Sequence, residues 1–283
     1  MLVFQKVADI EEFLDNERRA GRTVGFAPTM GALHEGHLSL VQTAKRECDL
    51  VVVSIFVNPT QFNDLKDLDR YPRMPEEDIA LLLSAHCDVL LLPPVAEIYP
   101  PGQDLTVQLH FRQLDKVMEG VFRPGHFIGM ATVVKRLLDI VAPHRLYMGQ
   151  KDFQQLSIVR DMLRQLSAPI ELVMCATLRE ADGLAMSSRN MRLTDEMRRA
   201  APAIYQTLQQ SKIDFQSRSA TVVQQAAMAK LREAGLKPEY FDIVDGISLL
   251  PVEHWADSNF IVACTAAFAG TVRLIDNLVF QNE

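Results

Sequence analysis

Two histidines, one lysine and a Ser-Ser-Arg triplet are the residues of this chain best suited to handling phosphate. His34 and His37 stand three apart in Leu33-His34-Glu35-Gly36-His37 and lead into an amphipathic run over 38–48 that reads as a helix. A short apolar run, Val24-Gly25-Phe26-Ala27, precedes them and reads as a strand. A strand, a Gly-containing turn and a helix start make an anion site. The first N–H groups of a helix have no partner within it, and its dipole favours negative charge there. Residues three apart share a face if the turn is helical, so both imidazoles can donate to a polyphosphate. Gly36 allows close backbone approach. Metal binding is the rival reading. His-Glu-Gly-His is one residue short of the zincin spacing, and no third ligand is evident nearby. Two surface histidines are the plain alternative.

Lys151-Asp152 offers a cation for phosphate and a carboxylate for a ribose hydroxyl, although a solvated pair at a helix start is the simpler reading of the two residues alone. Met186-Ser187-Ser188-Arg189 offers two hydroxyls and a guanidinium, which suits phosphate oxygens bidentately. Its alternative is a linker with turn-forming serines. Asn58, Gln61, Gln154 and Gln155 are uncharged donors and acceptors that suit a hydroxyl-bearing small acid. His86, His110, His144 and His254 have no evident partner, and His126 meets a pocket only if the turn over 122–127 does.

These side chains need a frame. The β-branched run over 50–57 has the composition of a strand buried on both faces of a parallel sheet, and Pro59 stops it. Polar side chains then lie just beyond its carboxyl end, where open α/β sheets bind ligands. Pro75-Glu76-Glu77-Asp78 is a helix-start signal for a helix to about residue 86. Further strands are expected over 88–92, 145–148 and 170–176, with helices over 9–20, 128–141 and 153–166. The stretch 105–111 alternates like a short edge strand, and 64–73 reads as a loop. Lys151 falls at the same sheet edge as His34 and Asn58. Beyond residue 176 the pattern changes. The stretch 179–190 is committed to neither helix nor strand, helices are expected over 194–211 and 220–234, and strands over 240–244, 260–266 and 271–276. Alternating β and α elements predict a doubly wound parallel sheet, and adjacent strands without intervening helices predict a small antiparallel one. The expected fold is α/β, with a domain over 1–176 and a smaller α+β domain over 177–283.

The 283-residue length suits one large or two modest domains, and 48% hydrophobic with 23% charged residues is ordinary for a soluble chain. No apolar run approaches the ~20 residues that span a bilayer, and no signal peptide is evident. Four scattered cysteines without a CxxC pair fit reduced thiols in the cytoplasm. A net charge of −7 without a basic run argues against a general nucleic-acid surface.

Taken together, the motifs carry a family resemblance. Leu33-His34-Glu35-Gly36-His37 resembles the HIGH motif of class I aminoacyl-tRNA synthetases and nucleotidyltransferases, and Met186-Ser187-Ser188-Arg189 resembles their KMSKS loop. More closely, four segments resemble the pantoate–β-alanine ligase family, in family order over the full length: 28–37, 56–62, 149–156 and 179–190. Gln150 stands where many members have Glu, and Phe153 where many have Tyr. The resemblance implies a Rossmann-like fold of the nucleotidyltransferase type. It implies ATP- and Mg²⁺-dependent condensation of pantoate with β-alanine through a pantoyl-adenylate, by a cytoplasmic homodimer with no nucleic-acid or membrane partner.

By resemblance, His34 and His37 contact phosphates, Lys151 stabilises charge on the transferred phosphate, and Ser187, Ser188 and Arg189 close over the polyphosphate. Thr29, Met30, Gly36, Gly149, Asp152 and Met186 complete the ATP contacts. Gln61 and Gln155 hold pantoate, with Asn58 in the same wall. No protein-bound metal is expected. A tRNA synthetase is disfavoured by the short acidic chain without an anticodon-binding appendage. Another nucleotidyltransferase, or a nucleotide-binding module without catalysis, is the remaining competitor.

Overall fold

The computed structural model describes residues 1–62, 68, 69 and 71–282. Its contacts divide the chain into two compact units. The first comprises Met1–Phe111, Arg123–Gly149 and Ile158–Cys175; the second comprises Arg112–Phe122, Gln150–Ser157 and Ala176–Glu283.

The first unit is built on six parallel strands: β1 (Leu2–Phe4), β2 (Val24–Thr29), β3 (Leu50–Ile55), β4 (Val89–Leu91), β5 (Arg145–Gly149) and β6 (Glu171–Cys175). Their order is β1-β4-β3-β2-β5-β6. From β2 the chain builds outward through β3 and β4 on one side, then returns to place β5 and β6 on the other. That reversal beside β2 is the kind of switch point at which open α/β sheets bind ligands, beyond the strand carboxyl ends. All six residues of β3 are buried, as its uninterrupted β-branched run predicts. Helices α1 (Val7–Arg19), α2 (Glu35–Glu47), α3 (Pro75–Ser84), α4 (Val95–Ile98) and, after α5 of the second unit (Glu119–Phe122), α6 (His126–Val141) accompany the sheet. α3 opens on Pro75 with three acids in its first turn, where the N–H that Pro lacks is not needed and carboxylates complement the dipole. Arg18 of α1 donates to the carbonyls of Val141 (2.8 Å) and Ala142 (3.4 Å), which have no intrahelical donor at the end of α6.

The second unit carries a three-stranded antiparallel sheet, β7 (Lys237–Asp245), β8 (Phe260–Ala269) and β9 (Val272–Asn282). Helices α8 (Asp195–Ala200), α9 (Ala203–Phe215) and α10 (Ala220–Glu233) follow α7 (Phe153–Gln165) in the chain. Leu208, Leu231, Ile243, Ala263 and Ala267 are fully buried members of one apolar cluster, so α9 and α10 cover one face of this sheet. The α/β class with a small C-terminal antiparallel sheet is therefore the observed architecture.

Several local expectations need correction. No strand forms over 105–111. The Val107 N–H donates instead to the Thr132 hydroxyl (3.2 Å), and Val107 and Phe111 are buried by packing rather than by pairing. The sheet edges are β1 and β6; β1, three residues long, is too short to show a period in the sequence. The single helix expected over 194–211 is two, parted at Ala201-Pro202, because Pro has no N–H to continue the ladder. The uncommitted stretch 179–190 contains a tight antiparallel return through Gly183, with Arg179 bridged to Ala185, and then a 3-10 turn over Ser188–Arg192. The loop expected over 64–73 lies partly outside the described residues.

Candidate active site

The turn after β2 is held by its own polar groups. The Thr29 hydroxyl donates to the Ser54 carbonyl (2.7 Å) and accepts from the Gly31 N–H (3.2 Å). Gly31 has φ +79° and Ala32 φ +51°, so the chain reverses through left-handed conformations. The next two N–H groups are captured by Asp78 of α3: Ala32 donates to Oδ2 (3.0 Å) and Leu33 to Oδ1 (2.6 Å). Burial pushes the Asp78 carboxyl above its ordinary value, and the Leu33 and Ala32 N–H groups oppose that shift. Asp78→Asn turns an NH₂ toward one of these donors. A buried hydrogen bond to a charged group contributes about 1.5–3 kcal/mol. Urea unfolding of the variant is expected to show a loss of about 2 kcal/mol, and unchanged stability would remove Asp78 as the anchor of the turn.

His34 is the N-cap of α2 and His37 its third residue. The Gly36 N–H donates to His34 Nδ1 (3.1 Å), and the His34 N–H donates to His37 Nδ1 (3.3 Å). Both Nδ1 atoms are acceptors, so each neutral ring carries its proton on Nε2. The rings lie 4.1 Å apart, tilted by 45°. The pair thus stands at a helix N-terminus, where negative charge is favoured. Among the described residues no group of three or more His, Cys, Asp or Glu is placed to hold a metal ion.

Beyond β3, Asn58 caps the 3-10 turn Pro59–Gln61. Asn58 is 1% exposed and its side chain is fully used. Its Nδ2 donates to Gln61 Oε1 and the Gly129 carbonyl (both 3.1 Å), while its Oδ1 accepts from Tyr99 (2.9 Å) and Thr60 (3.0 Å) hydroxyls. Gln61 Nε2 donates to Met30 Sδ at 2.9 Å, joining the carboxyl ends of β2 and β3. His126 Nδ1 donates to the Gln61 carbonyl at 2.8 Å. Gly129 of α6 lies against this turn so closely that a Cβ would stand 2.3 Å from the Thr60 carbonyl oxygen. Gly129→Ala must push α6 from the turn, at about 1–3 kcal/mol for overpacking. The expected result is a lowered melting midpoint; a wild-type midpoint would contradict the packing account.

In the second unit the 3-10 turn Gln150–Asp152 carries Lys151, half-buried, and Asp152, exposed. The Ser187 hydroxyl oxygen accepts from the Arg189 N–H (3.2 Å), which leaves its proton to donate. Asn190 Nδ2 donates to the Ala185 carbonyl (3.0 Å). A small cleft has Lys151, Ser187, Arg189, Asn190, Arg273 and Asp276 among its walls. Arg273 is committed to Glu119 (2.7 and 2.8 Å) and Glu239 (2.6 Å). Met186, Ser188, Asp152 and Gln155 do not line this cleft. Gln154 is structural: its amide accepts from the Glu119 N–H and donates to the Leu114 and Val117 carbonyls. Burial pushes the Cys87 thiol up to about 12 and the Cys175 thiol up to about 11, so neither is a thiolate nucleophile near neutral pH.

The structure thus groups His34 with His37, Met30 with Gln61 and Asn58, and Lys151 with Ser187 and Arg189. Sequence reasoning passed over Tyr99, Asp78, Asp276 and Asn277, and it gave His126 only a conditional place. Tyr99 lies in a Pro-rich turn cluster that could have flagged it. The other partners are separated by 45 or more residues from the groups they hold, and no local pattern marks them.

A family model described as pantoate-beta-alanine ligase matches residues 2–279. The pantothenate synthetase of Porphyromonas gingivalis strain W83 is 44% identical over 283 residues, all of both chains. That of Bacteroides thetaiotaomicron is 46% identical over 282 residues, 99% of each. The crystal structure of the Thermus thermophilus pantothenate synthetase superposes with a TM-score of 0.92 at 43% identity, covering 99% of this chain and all of that one. A Francisella tularensis pantoate-beta-alanine ligase, solved with beta-gamma ATP and beta-alanine, gives a TM-score of 0.83 at 36% identity over 99% and 98% of the two chains. With the family model and full-length relatives in agreement, this chain belongs to the pantoate-beta-alanine ligase family.

Proposed function

We propose that the chain condenses pantoate with β-alanine at the expense of ATP, releasing AMP and pyrophosphate through a pantoyl-adenylate. A carboxylate is a poor acyl donor. One of its oxygens therefore attacks the α-phosphorus of ATP, and the bond to pyrophosphate breaks. Negative charge gathers between nucleophile and leaving group, so the chain supplies oriented donors and a cation rather than a nucleophile. The β-alanine amine then attacks the acyl carbon, the bond to AMP breaks, and the amine's surplus proton passes to solvent.

In this reading His34 and His37 donate through Nε2–H to the phosphates, and Lys151 stabilises the transferred phosphate. Ser187, Ser188 and Arg189 close over the polyphosphate as a mobile loop. Asp152 and the Gly149 backbone position ribose, and Thr29, Met30, Gly36 and Met186 line the nucleotide path. Gln61 and Gln155 hold pantoate, and Asn58 fixes Gln61. Residues 1–176 bind nucleotide and pantoate, and 177–283 carry the loop. Mg²⁺ enters as part of the substrate, bound to the triphosphate, in keeping with its habit of coordinating through phosphates and water. We also infer a homodimer working in the cytoplasm; among the described residues no helix is long and apolar enough to cross a membrane.

The observation that carries this reading is the cap of α2, in which backbone N–H groups donate to the Nδ1 atoms of both His34 and His37. The test is acid-dependent ATP–pyrophosphate exchange without β-alanine. Pantoate is expected to support exchange well above other hydroxy acids. Preference for a different acid would identify another nucleotidyltransferase chemistry, and ATP binding without exchange would leave a module without catalysis.

A further inference from the structure

Two adjacent residues of β9 grip both phosphate-handling segments of the second unit. Asn277, 1% exposed, donates through Nδ2 to the carbonyls of Gln150 (2.9 Å) and Lys151 (2.8 Å), and its Oδ1 accepts from Gln150 Nε2 (3.0 Å). Asp276, 4% exposed, receives Arg179 in a two-pronged pair, Nη1 to Oδ2 at 2.7 Å and Nη2 to Oδ1 at 3.1 Å. Arg179 also donates to the Gly183 (3.2 Å) and Asn277 (3.2 Å) carbonyls, and its guanidinium stands 3.7 Å from the centre of the Tyr205 ring. Neighbouring residues of a strand project to opposite faces. One dipeptide therefore reaches the Gln150–Lys151 backbone from one face and the Arg179 return from the other. The Asn277 N–H closes the set on Asp276 Oδ1 at 2.8 Å.

The Arg179 return leads directly to the serine loop. Arg179 is bridged to Ala185, the Met186 N–H donates to the Leu178 carbonyl (3.0 Å), and Ser187 follows. We propose that Asp276-Asn277 is the positioning element of the site: it ties the backbone of Lys151 and the root of the Ser187–Arg189 loop to one strand, and so sets the spacing between ammonium and loop donors. This rests on the role given to Lys151 above. Neither residue is asked to touch a substrate. Asn277 acts through the Lys151 carbonyl, and Asp276 through Arg179.

The test is a double-mutant cycle read by pantoate-dependent ATP–pyrophosphate exchange, with melting midpoints alongside. Asn277→Ala is expected to lower the exchange kcat by about 10- to 100-fold, the scale of a small misplacement of a reacting group, with the pantoate KM within about 2-fold. In a Lys151→Ala background the same change is expected to have almost no further effect, because groups acting as a unit are non-additive. Asn277→Asp keeps the volume and Oδ1 while removing both Nδ2 donors; it is expected to lose as much, and it decides the matter if the alanine variant does not fold. Wild-type exchange in the Asn277 variants, or the same fold-loss with and without Lys151, overturns the proposal and leaves the Lys151 assignment standing. Undiminished exchange by Lys151→Ala alone overturns that assignment and this proposal with it.

Discussion

Lys151→Ala is expected to lower pantoate-dependent ATP–pyrophosphate exchange by at least about 100-fold while leaving the protein folded. Removing one preorganised charge-stabilising donor costs roughly 3 kcal/mol of transition-state stabilisation, and ~1.4 kcal/mol is a tenfold change in rate. Lys151 sits in the wall of a cleft that it shares with Ser187 and Arg189, in a turn whose Gln150 and Lys151 carbonyls are held from β9. Half-buried, it contributes little to the apolar core, so the melting midpoint should stay near that of the wild type. Exchange assays at saturating ATP and pantoate measure the effect. Near-normal turnover would remove Lys151 from the chemistry.

His34→Ala is expected to divide the two half-reactions. Adenylate formation should slow by about 100-fold, whereas amine attack on preformed pantoyl-adenylate should change by no more than a few fold, because pyrophosphate has already left. The substitution also removes the acceptor for the Gly36 N–H, an N-cap loss of about 1 kcal/mol. His34→Asn separates the two effects. Its short side chain can restore the cap, and hence stability, without returning the Nε2–H donor. Rapid-quench measurement of each half-reaction reads the split. Equal slowing of both would count against a pyrophosphate role for His34.

The parts of the fold that were legible in the chain are those whose burial is local. β3 is buried on both faces, so its residues 50–55 could all be apolar or small and the run announced itself. α3 carries Pro75 and three acids at its start because helix ends have local requirements. The antiparallel sheet was visible because no helical pattern separates β8 from β9. Alternation over 105–111 misled, since a side chain can be buried at every second position without its backbone joining a ladder, as the Val107 N–H on Thr132 shows.

The chemistry-bearing groups were legible as types at motif positions, and their supports were not. Asp78 reads as one more acid in a helix start, yet it holds the N–H groups of Ala32 and Leu33. Asn277 reads as a polar interruption late in a strand, yet it holds Lys151 from 126 residues away. Asn58 stands in a motif beside Gln61 and invites a ligand-binding role, while in the structure its amide is spent on Gln61, Gly129, Tyr99 and Thr60. A side chain that meets a ligand is marked by its type, whereas one that aims another is marked only by the long-range register of the fold.

In the proposed reaction the pantoate carboxylate attacks the α-phosphorus of ATP. Pantoate labelled with ¹⁸O in its carboxylate, turned over with ATP and β-alanine, tests this most directly by mass spectrometry of the nucleotide product. AMP is expected to carry one labelled oxygen, since the bridging oxygen of the adenylate stays with phosphorus when the amine displaces it. Unlabelled AMP, or ADP with the label in inorganic phosphate, would contradict it.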